Sequence, residues 1–67
     1  MKAREIIALL KADGWMEVRV TGSHRQFRHQ QKPGVVTVPD HGSRDLKIGL
    51  VASIERQSGV KLRRRQG

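Results

Sequence analysis

At Asp13-Gly14 the apolar residues of this chain change their spacing, and that change constrains the fold more than any other feature. Before it, in "AREIIALLKA" (residues 3 to 12), Ala3, Ile6, Ile7 and Leu10 recur at the interval of one helical face, with Leu9 widening the stripe. After it, in "WMEVRV", Met16, Val18 and Val20 alternate with Glu17 and Arg19, the two-residue period of a half-buried strand. Gly14 suits the left-handed position just past a helix end. A helix that runs straight into a strand must share a core with it, so the chain builds at least two layers.

The remaining segments extend that pattern. "TGS" (21 to 23) reads as a turn, and residues 24 to 30 as a polar strand whose one large apolar residue is Phe27. "QKPG" (31 to 34) is a second turn, punctuated by Pro and Gly. "VVTVP" is a third strand rich in β-branched residues, and "DHGSRD" (40 to 45) a loop. A second helix is expected from Leu46 or Lys47 to Ser58, with Ile48, Val51 and Ile54 inward and Leu50 beside them. Gly59 followed by Val60 suits a glycine stop whose next residue packs back on the helix. "KLRRRQG" has no apolar periodicity and reads as a flexible basic tail. The expected fold is α+β, in the order α-β-β-β-α: a three-stranded antiparallel sheet with two helices on one face, one domain over residues 1 to 60 and a tail over 61 to 67.

Sixty-seven residues without cysteine must be held by that one core, since no disulfide or thiolate metal site can supplement it. The histidines, at 24, 29 and 41, do not have zinc-finger spacing, and neither metal nor cofactor is expected. No apolar run approaches the length of a membrane span, and the N-terminal segment lacks the apolar centre and cleavage site of a signal peptide. A cytoplasmic protein, monomeric when free, is the expectation. Fourteen Lys and Arg against six Asp and Glu leave a formal charge of +8, a field that attracts polyanions, nucleic acid above all. A solubilising surface and an acidic protein partner are the other readings of that charge.

With Phe27 as the inward marker of the second strand, alternation places Arg25 and His29 on its side and His24, Gln26 and Arg28 on the open side. If Met16, Val18 and Val20 point inward, Glu17 and Arg19 share the open face. An imidazole among guanidinium groups suits phosphodiester cleavage in RNA. Histidine can take the proton of a 2′-hydroxyl or give one to a leaving 5′-oxygen, while Arg19, Arg28 and Lys32 are candidates for holding the phosphate. No metal is required for that chemistry. A histidine after a turn is more often a plain surface residue, and His41, in the loop before the second helix, competes for the catalytic role. His29 is expected to hydrogen-bond locally, and Trp15 to pack at the junction of helix and strand.

"DGW", "VTGSHRQFRH", "KPGVVTVPDHG", "RDLKIG" and "SIERQSGV", in that order, resemble the HicA family of bacterial toxins from about Lys2 to Val60. The resemblance implies a fold like a double-stranded RNA-binding domain. It also implies a toxin that cleaves mRNA and is held inactive by a HicB-type antitoxin. The family's catalytic histidine is the one in "GSH", which falls on His24, and Ser23 beside it joins Arg19, Arg28 and Lys32 as candidate RNA contacts. Leu50 stands where the family often has a polar residue, at a position away from the catalytic motif. A non-catalytic module for duplex RNA is the second expectation. It ranks lower because "SRDLKIG", where such modules carry a lysine cluster, has only two bases and one acid. A protein that only docks an acidic partner is the third.

Overall fold

The end of the first helix sets the geometry of everything after it. In the computed structural model, which describes residues 1–63, helix α1 runs Ala3–Ala12. The Glu5 carboxylate accepts the Lys2 backbone N–H at 2.7 Å, placing an acid at the positive end of the helix. At the other end Gly14 takes φ 103, and its N–H donates to the Lys11 carbonyl while that of Trp15 donates to Leu10, both at 3.0 Å. These are the paired bonds of a glycine-terminated helix, and they turn Trp15 into the core.

Strands β1 (Met16–Thr21), β2 (His24–Arg28) and β3 (Val36–Pro39) follow, then helix α2 (Ile48–Ser58). The sheet has the order β1-β2-β3, both pairs antiparallel. This is the expected α+β fold, and both helices pack against β3. Trp15, Phe27, Ile6, Leu10, Ile54, Val36 and Val38 are almost fully enclosed between the layers. Burying a side chain of the Val or Phe class contributes about 1.5–3 kcal/mol, so this cluster is the main cohesive force.

Three sequence expectations are corrected. Met16, Val18 and Val20 do not point into the core: they are 54%, 53% and 57% exposed. Glu17 pairs with Phe27 but Arg19 with Gln26, so Val18 is an extra residue in a β-bulge. The bulge puts Glu17, not Met16, on the side of Phe27, and β1 is the sheet edge farther from the strand on which the helices rest. Ile48 is likewise 73% exposed, because it opens α2 and lies ahead of the residues that meet the sheet; the half-buried Leu46 packs on the core instead. Finally, order continues past residue 60. Leu62 is buried, and the Glu55 carboxylate accepts the backbone N–H groups of Leu62 and Arg63 and binds the Arg63 guanidinium. The rest of the expected tail, 64 to 67, lies outside the described residues.

Candidate functional site

His24 opens β2 directly after a two-residue turn, Gly22-Ser23, with Thr21 and His24 as the closing pair. Gly22 has φ 60 and Ser23 does not share a positive φ, the pattern of a turn that wants glycine first. The ladder then sorts side chains by face. On the open side His24 lies between Thr21 and Pro39, Gln26 between Arg19 and Thr37, and Arg28 opposite Met16. Neighbours across strands sit about 5 Å apart at Cβ and diagonal ones about 7–8 Å, so Arg19 is within side-chain reach of His24. His24, Arg19 and Arg28 are exposed and Ser23 is half-buried.

Acids are kept off this face. Arg25, on the helix side with Phe27, donates from Nη2 to Glu17 Oε1 at 3.1 Å, from Nε to Glu17 Oε2, and from Nη1 to Asp40 Oδ2 at 3.1 Å. A half-buried arginine needs such partners, because an unpaired charge there would be costly. The Arg25 hydrogen bonds hold the Glu17 carboxyl below its ordinary value. Asp40 is lowered too, first by the Gly42 backbone N–H and then by Arg25. The guanidinium itself is stabilised in its charged form by the same bonds. Among the described residues, Arg19 and Arg28 have no carboxylate partner.

Lys32 is not brought to this group. Its ammonium binds Asp13 Oδ2 at 2.6 Å and the Ser58 carbonyl at 3.0 Å, tying the β2–β3 loop to the ends of both helices. That contact is the leading cause of a lowered Asp13 carboxyl. A cation at the carbonyl end of α2 is also favoured by the helix dipole. His29 does hydrogen-bond locally. Its Nδ1 accepts the backbone N–H groups of Gln31 and Lys32, so the proton sits on Nε2, which donates to the Asp13 carbonyl at 2.7 Å. Its ring meets Trp15 edge-on with centroids 5.2 Å apart. Trp15 is buried, a packing residue as expected.

Sequence reasoning missed the Arg25–Glu17–Asp40 cluster. The available signal was an arginine on the inward side of a strand, which demands an acid; only the bulge reveals that Glu17 supplies one.

Fold and site define a class: a small basic αβββα domain with a histidine at the turn end of its uncovered sheet face. The chain belongs to the HicA toxin family, whose model, described as the HicA toxin of bacterial toxin–antitoxin, matches residues 3–60. Membership makes the chain a toxin of a bacterial toxin–antitoxin pair and implies a cognate antitoxin. Among curated proteins nothing matches. No helix among the described residues is long and apolar enough to cross a membrane.

Proposed function

We propose that this toxin is a metal-independent endoribonuclease that cleaves mRNA, with His24 as the proton-transferring group. The observation that carries the reading is the open face itself: an exposed histidine beside Arg19, farther along Arg28, and no acid on the rungs between them. Arg19, Arg28 and the Ser23 edge hold the phosphate of a single-stranded or weakly structured RNA. The internal 2′-oxygen attacks phosphorus, and the guanidinium groups offset charge that grows on the phosphoryl oxygens. The products are a 2′,3′-cyclic phosphate and a 5′-hydroxyl. Lys32 is given no phosphate role, because its ammonium already serves Asp13 and Ser58. A HicB-type antitoxin covers the open face and removes His24 from solvent.

The test is cleavage of mRNA by the purified protein and its His24→Ala variant, both in chelator, with circular dichroism to establish folding. The expected result is cutting by the wild type alone, while the variant stays folded and still binds RNA. A 5′-phosphate on the downstream fragment, or equal cutting by both, overturns the mechanism. Tight, length-dependent binding of duplex RNA without any cutting would favour a binding module instead.

A further inference from the structure

The loop after β3 does not leave the site. Pro39 lies opposite His24, and the next residue stays on the ladder, the Asp40 N–H donating to the Ser23 carbonyl at 2.6 Å. On the helix side, Asp40 Oδ2 is held by Arg25 at 3.1 Å, and Oδ1 accepts the Gly42 N–H at 3.1 Å. Residues 40 and 42 are therefore pinned, and His41 is the exposed residue between them. The Asp40–Ser23 hydrogen bond and ordinary covalent geometry keep the Cα atoms of His41 and His24 within about 12 Å. Two imidazoles so placed can approach one phosphate from different sides.

We propose that His41 is the second proton-transfer group of the reaction, with Asp40 and Arg25 as the residues that position it. The proposal rests on the ribonuclease reading above and completes its proton balance. The 2′-oxygen forms a bond to phosphorus and its proton passes to His24 Nε2 or Nδ1. The phosphorus–O5′ bond breaks, and the departing oxygen takes a proton from the His41 imidazolium. The cyclic phosphate and 5′-hydroxyl leave, and each histidine returns to its starting state by proton exchange with water. The places of the two rings assign the roles: His24, on the open face and diagonal to Arg19, takes the 2′-oxygen proton, and His41, on the loop pinned through Asp40 and Gly42, serves the leaving oxygen.

A leaving group that needs no proton separates this role from a structural one. The probe is an RNA oligonucleotide with sulfur in place of the bridging 5′-oxygen at the bond the wild type cuts, compared with the all-oxygen oligonucleotide. His41→Ala should cut ordinary RNA roughly 10²–10⁴-fold more slowly than the wild type, the usual contribution of a general acid. It should cut the sulfur-bridged RNA at close to the wild-type rate. His24→Ala should be slow on both. If His41→Ala slows both substrates alike, or neither, the proposal is overturned while the ribonuclease reading stands. Failure of the wild type to cut either substrate overturns both. Because His41 is exposed, its variant should keep the wild-type melting temperature, and the ratio of the two rates is an internal control for misfolding.

Discussion

Gly14 carries two constraints at once, one in its backbone and one in its surroundings. Its φ of 103 is a conformation that side chains rarely adopt, and a Cβ there would come within 2.9 Å of His29 Nε2. Gly14→Ala should therefore cost about 1–3 kcal/mol from backbone strain, plus the displacement of a ring packed against Trp15. Gly22→Ala is the matched comparison: φ is 60, but nothing lies within 4 Å of the new methyl. Urea denaturation should give a clearly larger loss for Gly14→Ala; equal losses would mean the His29 approach does not matter. Glu55 acts through charge. Accepting the Leu62 and Arg63 amides pulls its carboxyl from 4.5 to about 2. A carboxyl depressed on folding stabilises the fold fully above its ordinary value, and that contribution is lost as pH falls through the folded one. Glu55→Gln should thus melt lower than the wild type near neutrality, and the gap should close between about pH 4.5 and about pH 2. A gap constant with pH would count against the ionic contact.

At the scale of elements, β1 separates what the sequence discloses from what it does not. The matched prediction is Val20→Thr against Val38→Thr. Val20 is 57% exposed and Val38 is fully buried, although both stand opposite Arg25. Burying an unpaired hydroxyl costs roughly 1–3 kcal/mol, whereas an exposed substitution shifts stability by about 0.5 kcal/mol or less. Chemical denaturation should find the large loss only at Val38; a comparable loss at Val20 would place β1 under the helices after all. Alternation in "MEVRV" correctly marks a strand, since period two is a local property of extended backbone. It misplaces the faces, because a bulge at Val18 and an uncovered sheet edge are set by partners distant in sequence. β2 escaped this error. It is regular, so Phe27 alone located His24 and Arg28 on the open side. Alternation also placed Arg19 there correctly, in unbroken register with the turn, and the bulge moves only Glu17 off that face. Ile48 and Leu62 fail for other reasons. Helical spacing groups Ile48 with Val51 and Ile54, but the first residue of α2 lies ahead of the sheet, and Leu62, past a glycine stop, has no periodicity to say which way it faces.

For the whole molecule, the formal charge of +8 matters less than how it is sorted. Arg25 draws Glu17 and Asp40 to the helix side, Lys32 and Asp13 neutralise each other at the helix ends, and Glu55 holds Arg63. The open face is left with Arg19 and Arg28 and no acid on its rungs. This sorting predicts which lysines and arginines contribute to RNA affinity, since a cation that neutralises a phosphate releases a counterion and one already paired within the fold does not. Each phosphate contact to a single strand adds about 0.7 to the slope of log affinity against log salt. In a His24→Ala background, which keeps the RNA intact, Arg28→Gln and Arg19→Gln should each reduce the slope by about that amount. Lys32→Gln should leave the slope unchanged and lower the melting temperature, because it frees Asp13 and the end of α2 instead. Fluorescence anisotropy across a salt series reads the first pair and a thermal melt reads the second. A slope that falls with Lys32→Gln and not with Arg28→Gln would move the RNA from the open sheet face to the helix ends, and would take His24 away from the phosphate.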